Sequence, residues 1–206
     1  MGELIILSER LIDRSRSAGR CRPAFFFDLT CPFSYLTAER VERSLGEVDW
    51  VPVCAAEIGG ARGTLDPPAR AAAERLAATH RLPLVWPDRV GQPAPAAMRA
   101  ASFAAESGAG ARFALAAGRL AFCGGFELEC PETLAEAAAA AGLPLEHCVE
   151  AAVDPARDAP LAATGHGLGR RGVRRLPALA VGTRLIDGDD ALIRAAALLR
   201  RDAATG

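Results

Sequence analysis

The sequence contains no lysine and no asparagine; all 24 of its basic residues are arginine. Without lysine, no reaction can run through a lysine Schiff base. An excess of one charge is lacking too. Against 25 acidic residues the formal net charge is −1, whereas a dedicated nucleic-acid binder carries a basic footprint. No apolar run approaches the roughly 20 residues of a membrane span. The opening MGELIILSER holds only a short apolar stretch, Leu4–Leu7, between Glu3 and Glu9. A secretory signal needs a positive start and about 7–15 apolar residues. The expected setting is therefore cytoplasmic, with neither membrane nor nucleic acid as partner. Six cysteines are present (Cys21, Cys31, Cys54, Cys123, Cys130, Cys148), yet none forms a Cys-x-x-Cys pair. His80, His147 and His166 show no metal-ligand spacing against them or one another. No metal site is expected, and the cysteines are expected as free thiols.

What is present is apolar and helix-prone. Half the residues are hydrophobic and alanine fills 45 positions, the residue of highest helix propensity. A chain of this length buries roughly 70% of its unfolded surface, so it can hold a core without disulfides. Its 206 residues suit one domain, or one domain with a large insertion.

Residues 1–20 read as an amphipathic leader rich in Arg and Ser. Ala24-Phe25-Phe26-Phe27-Asp28 is a short continuous aromatic run suited to a buried strand. Cys31-Pro32 follows, and Tyr35, Leu36, Ala38, Val41 and Leu45 recur at helical spacing up to Gly46. Proline is preorganised for a first helical turn, which puts Cys31 at the N-cap. Val48 to Cys54 predicts a second strand. From 56 to 173 no useful strand signal occurs. Helices are expected from Asp66-Pro67-Pro68 to about Thr79, over 96–107 and 110–122, and from Pro131, Pro144 and near Pro160. Between them lies a Pro-rich loop, Leu82 to Pro95. Ala178–Val181 and Arg184–Asp187, separated by Gly182-Thr183, signal a hairpin, and a helix from Asp190 to about Arg201 closes the chain. The expected fold is α/β and thioredoxin-like, β-α-β … β-β-α, with a large all-helical insertion. Its thioredoxin-like part is expected over 21–55 and 174–206, and its helical insertion over 56–173.

Three segments carry a resemblance. Phe26 to Leu36, with Cys31-Pro32-Phe33-Ser34 at its centre, resembles the first strand and active-site turn of the DsbA-like thioredoxin-fold superfamily. It is most similar to the branch of 2-hydroxychromene-2-carboxylate isomerases and kappa-class glutathione transferases. Arg175-Leu176-Pro177-Ala178-Leu179 resembles that family's cis-proline segment. Gly188-Asp189-Asp190 resembles the turn that receives the γ-glutamyl end of glutathione. The resemblance implies Cys31, Ser34 and Pro177 at the catalytic centre. It also implies binding by Phe33, by the Leu176 backbone and by Asp189 and Asp190. It leaves open a homodimer, the assembly this branch often has.

The residues constrain the chemistry further. A thiol at a helix N-terminus meets the positive end of the dipole and unpaired N–H groups, so a Cys31 pKa well below the usual value is expected. Disulfide oxidoreductases of this superfamily carry Cys-Pro-x-Cys, and the isomerase branch Ser-Pro-Tyr-Ser; Cys-Pro-Phe-Ser is a hybrid. Ser34 cannot resolve a mixed disulfide, so release needs an outside thiol, glutathione or another small thiol. Cys54 is weighed as a resolver and read instead as a strand-end packing residue. Asp28 is read as a turn cap, with acceptance of the thiol proton as the alternative. Arg174 and Arg175 either rim the groove for an anionic substrate or form a solvated helix end. Asp189 and Asp190 serve equally as the acidic start of the last helix. Gly165-x-Gly167-x-Gly169 follows no strand and is no dinucleotide loop. Leu65 and Asp66 stand where glutathione-using relatives place Asn and Lys, so glutathione, if bound, is held differently. The first expectation is a monothiol oxidoreductase acting on a disulfide or organic substrate with a small thiol. The second is a glutathione-dependent isomerase or transferase, and the third a non-catalytic binding member.

Overall fold

The structure, a computed structural model, describes residues 22–59 and 65–205; the leader expected over 1–20 lies outside them. β1 (Ala24–Phe27) is buried on both faces, as an unbroken aromatic run requires. It leads through a tight turn into α1 (Pro32–Leu45), then β2 (Asp49–Pro52) and a single 3-10 turn, Ala55–Ile58. Six helices follow: α2 (Pro67–His80), α3 (Pro95–Glu106), α4 (Gly110–Phe122), α5 (Pro131–Ala141), α6 (Leu145–Val153) and α7 (Asp158–Arg170). The chain returns as β3 (Ala178–Val181), β4 (Arg184–Asp187) and α8 (Ala191–Thr205). The sheet order is β2-β1-β3-β4. β1 runs parallel to β2, with Phe25 opposite Trp50, and antiparallel to β3, with Phe25 opposite Leu179. β2 lies at the sheet edge, where Pro52 removes no needed ladder bond. This is the thioredoxin-like α/β arrangement, with the helices α2–α7 between its halves.

Alternation along β1 divides the core. Phe25 and Phe27 face one way, against Trp50 at ring-centroid distances of 5.0 and 5.8 Å. They join a cluster that runs through Leu36 and Val41 of α1, Met98 of α3 and Phe113 and Phe122 of α4 to Leu134 of α5. Sheet and helical block thus share one apolar interior. Ala24 and Phe26 face the other way, onto Val51, Val53, Ile58, Leu168 and Leu176.

The Gly165-x-Gly167-x-Gly169 tract has a packing reason. A Cβ on Gly165 would lie 2.7 Å from Glu57 Cβ, and one on Gly169 would lie 2.5 Å from the Ile58 carbonyl oxygen. The two glycines let α7 rest directly on the 3-10 turn. That turn also shortens β2 relative to the expected Val48–Cys54, because Cys54 becomes its N-cap. α7 starts at Asp158, two residues before Pro160. A 3-10 turn capped by Asp154, whose Oδ1 accepts from the Ala156 N–H at 2.9 Å, feeds straight into it.

Candidate active site

Cys31 is the N-cap of α1, with extended backbone (φ −92°, ψ 114°) and Pro32 in the first turn. The cross-strand partner is the segment entering β3, where the Leu176–Pro177 peptide is cis. The Cys31 thiol donates to the Leu176 carbonyl oxygen at 3.6 Å. Residues 145 positions apart thus meet at one point, at the end of the sheet where β1 stops and β3 begins.

Ser34 is buried, and its Oγ accepts from the Asp28 N–H at 3.3 Å. The Ser34 side chain and the backbone N–H groups of Phe33 and Ser34 lie where they pull the Cys31 pKa down. Phe33 is half-buried against the cluster on the α1 face. These local donors favour a thiolate, as the helix-start argument requires. The low pKa expected from that argument nevertheless does not hold in the free site. Burial of the sulfur outweighs the donors, the nearby Asp28 adds to it, and the Cys31 thiol is pushed up to about 11. The geometry is that of a protonated thiol, since a carbonyl oxygen accepts from S–H and repels S⁻.

Asp28 underlies the turn. Its Oδ1 accepts from the Thr30 N–H and the Thr30 hydroxyl, both at 2.8 Å, and its Oδ2 from the Ala55 N–H at 2.8 Å. The cap reading therefore stands, with a second anchor across the chain. Cys54 packs with the α1-face cluster and Cys31 with the opposite one. Both are free thiols, and burial pushes Cys54 up to about 12.

The expected binding residues divide. Leu176 meets Cys31 directly. Arg174 and Arg175 are exposed, and both their backbone N–H groups donate to Asp187 Oδ2, at 2.8 and 3.1 Å. The Arg175 guanidinium then reaches Asp189 at 3.6 Å, passing over Gly188. Asp190 pairs with Arg194 at 3.5 Å, one helical turn on. The two carboxylates expected to hold an ammonium group each already face an arginine.

On the helical side, a cleft lined by Thr30 opens beside the active-site turn, walled by Val90, Pro93, Phe122, Phe126 and Arg89. No expectation from sequence named it, because its walls come from three separate stretches. Nearby, the lone tyrosine, Tyr35, stacks on Phe122 and donates to the Pro83 carbonyl at 3.0 Å, pinning the loop that forms one wall. Among the described residues no group of His, Cys, Asp and Glu is arranged to hold a metal ion, and no helix is long and apolar enough to cross a membrane.

The sequence matches the DSBA-like thioredoxin domain over residues 24–200. The chain belongs to the DSBA-like thioredoxin family. No curated protein matches it. Among solved structures, 2-hydroxychromene-2-carboxylate isomerase is similar at 16% identity with a TM-score of 0.75, covering 89% of this chain and 98% of that one. A probable DsbA oxidoreductase from Streptomyces coelicolor is similar at 21% identity and a TM-score of 0.70, covering 87% of this chain and 88% of that one. At such identities the likeness is one of fold, and the DSBA-like site must be argued from its own residues.

Proposed function

We propose that this DSBA-like protein is a thiol-dependent oxidoreductase that works through a single thiol, Cys31. The observation that carries the reading is the facing pair: Cys31 on its helix start and the Leu176 carbonyl 3.6 Å away beside Pro177. A substrate strand laid along Leu176 competes for that carbonyl, in the manner of an added β-strand. The sulfur is then left to the Phe33 and Ser34 amides and the Ser34 hydroxyl, which stabilise its anion. Cys31 loses its proton and attacks one sulfur of a disulfide. The Cys31–S bond forms, the substrate S–S bond breaks, and the departing thiolate takes up a proton. With Ser34 in place of a second thiol, glutathione or another low-molecular-weight thiol attacks the mixed disulfide and frees Cys31. No metal takes part in this scheme.

A second reading rests on the cleft beside Thr30. A partly apolar cavity next to a thiol site suits a small organic substrate. It favours a glutathione-dependent isomerase or transferase; isomerase is the activity in the name of the 2-hydroxychromene-2-carboxylate enzyme that shares the fold. A cytoplasmic setting and a homodimer accord with either reading.

The test is a glutaredoxin-type assay on a mixed disulfide with glutathione as reductant, beside hydroxychromene carboxylate with glutathione. The oxidoreductase reading expects turnover of the disulfide that Cys31→Ser abolishes. Disulfide turnover unaffected by that substitution would sink it. Cys31-dependent conversion of the chromene alone would establish the second reading.

A further inference from the structure

Acidic and basic residues are mixed along most of the chain, with one long exception. From Ala159 to Ile186 there is no Asp or Glu, and five arginines fall in that stretch: Arg170, Arg171, Arg174, Arg175 and Arg184. All five are exposed. Arg175 meets a carboxylate, Asp189 at 3.6 Å; among the described residues none pairs with the other four.

The fold gathers these cations. The Arg171 guanidinium donates to the carbonyl of Thr183, the residue before Arg184, at 3.5 Å. That bond draws the end of α7 to the β3–β4 turn. The Arg174 guanidinium donates to the carbonyl of Gly169, the residue before Arg170, at 3.4 Å. Bringing like charges together costs repulsion, and the carboxylates around them are engaged elsewhere. Asp187 Oδ2 accepts from the backbone N–H groups of Arg174 and Arg175, Asp190 faces Arg194, and Glu57 faces His166. A cation on a last-turn carbonyl of a helix accounts for Arg174. A charge on the edge strand β4, which discourages stray pairing, accounts for Arg184. Neither role requires Arg171 to join the two.

We infer that this arginine face receives an acidic polypeptide, the disulfide-bearing substrate of Cys31, with its carboxylates on Arg171, Arg174 and Arg184. The inference rests on Cys31 being the reacting thiol. Position and size carry it. Arg174 stands two residues before Leu176, whose carbonyl faces the Cys31 sulfur, so the face runs into the reacting groups. It also extends well away from them. β3 carries the chain from Ala178 to the Gly182-Thr183 turn, roughly 13 Å at about 3.3 Å per residue. A thiol of tripeptide size spans about 10 Å at most, so one bound at Cys31 falls short of Arg171 and Arg184. A polypeptide covers both ends, and guanidinium forks are matched to its carboxylates. With a net charge of −1 over the whole chain, the face is local and does not make the protein a general binder of nucleic acid.

The experiment uses two fluorescent peptides with one central cysteine joined by a disulfide to 2-mercaptoethanol, one flanked by glutamates and its twin by glutamines. Fluorescence anisotropy measures their binding to the full chain carrying Cys31→Ser, and the parent protein with glutathione gives their turnover. At low ionic strength the acidic peptide binds about tenfold more tightly and has a higher kcat/KM by a similar factor, the scale of attraction at a charged face. Near 0.15 M salt, where screening acts within about 8 Å, the preference shrinks. Arg171→Gln with Arg184→Gln brings the ratio of the two peptides close to one, and Arg171→Glu with Arg184→Glu inverts it, with circular dichroism to certify the fold. The ratio is taken within one protein, so a change in overall turnover does not move it. Equal binding of the two peptides by the parent face overturns the inference, as does a preference kept by the glutamate pair. A single-stranded oligonucleotide of equal charge that displaces the acidic peptide at a lower concentration than unlabelled peptide does also overturns it, and gives the face to nucleic acid. If neither peptide is turned over, the reading of Cys31 as nucleophile fails, and the binding ratio still decides whether the face takes acidic polypeptide.

Discussion

Two helices of this protein begin alike. α1 starts with Cys31-Pro32-Phe33-Ser34 and α5 with Cys130-Pro131-Glu132-Thr133. Both cysteines are N-caps in extended backbone, both precede proline, and each has a buried hydroxyl residue three positions on. Neither side chain caps its helix. What differs is the opposite wall. Cys31 faces the Leu176 carbonyl beside the cis Pro177, at the end of a sheet. Cys130 donates to Glu132 Oε2 of its own helix at 2.7 Å. The helix-start grammar, and the dipole that comes with it, is common to both. A site arises where a second, distant segment closes over the sulfur.

The sharpest way to break that comparison is to exchange each sulfur for oxygen. Cys31→Ser should lower thiol-dependent turnover by a factor on the order of a thousand or more, the scale of losing a nucleophile. Cys130→Ser should leave it within about twofold. The assay is turnover per folded protein, with circular dichroism to certify the fold. Comparable losses in both variants would mean that the helix start, and not the facing strand, makes the site.

Next comes the support behind Cys31. α7 lies on the 3-10 turn through Gly169, and Ile58 and Leu168 belong to the cluster against which Cys31 packs. Gly169→Ala puts a methyl 2.5 Å from a backbone oxygen, so the helix must shift. Overpacking of this kind costs about 1–3 kcal/mol. Urea unfolding should show that loss, together with a changed alkylation rate at Cys31 and an unchanged one at Cys130. A neutral result would show that α7 can slide without disturbing the site.

These two supports also mark what sequence reading reaches. β1 was legible because Phe25-Phe26-Phe27 is buried on both faces, and the starts of α1, α2 and α5 because proline at a first turn is a local signal. The position of Cys31 followed from the same signal. Its ionisation did not: the dipole is written in neighbouring residues, whereas the burial of the sulfur, which meets the Leu176 carbonyl and the cluster around it, is tertiary. The turn Ala55–Ile58 was illegible for a like reason, being held by Asp28 from one side and by Gly165 and Gly169 from the other. Asp189 was singled out from sequence without its partner, because Arg175 lies 14 residues upstream across a strand pair. The cleft beside Thr30 draws its walls from stretches almost a hundred residues apart.

The pH dependence of stability sharpens the contrast at smaller scale. A thiol has an ordinary value of 9.0, and folding raises that of Cys31 to about 11. The folded state therefore holds a proton that the unfolded state releases between those values. The contribution to stability is complete below pH 9 and is lost as pH rises toward 11. Cys54, raised to about 12, adds in the same sense. Urea midpoints should fall on the alkaline side, and Cys31→Ser should remove on the order of 1–2 kcal/mol of that fall once the partial exposure of the residue is allowed for. An alkaline slope identical in Cys31→Ser would mean that the sulfur is freely solvated.

The smallest effect concerns the caps themselves. α2 begins with Asp66, whose Oδ1 accepts from the Ala69 N–H at 2.8 Å; Asp66→Ala should cost about 1 kcal/mol, the usual value of a lost N-cap. Serine is among the best N-caps, and neither cysteine makes a capping bond. Cys130→Ser should therefore raise stability by about 0.5 kcal/mol, since its hydroxyl can accept from an amide of the first turn. At Cys31 the same exchange gains the cap but places a hydroxyl where the sulfur now packs against Phe26, Val53 and Leu176, so its gain at neutral pH should be smaller. Paired thermal melts of the two serine variants decide the point. A larger gain at position 31 than at 130 would show that the facing strand gives the sulfur no packing advantage. The contrast between the two helix starts would then rest on chemistry alone.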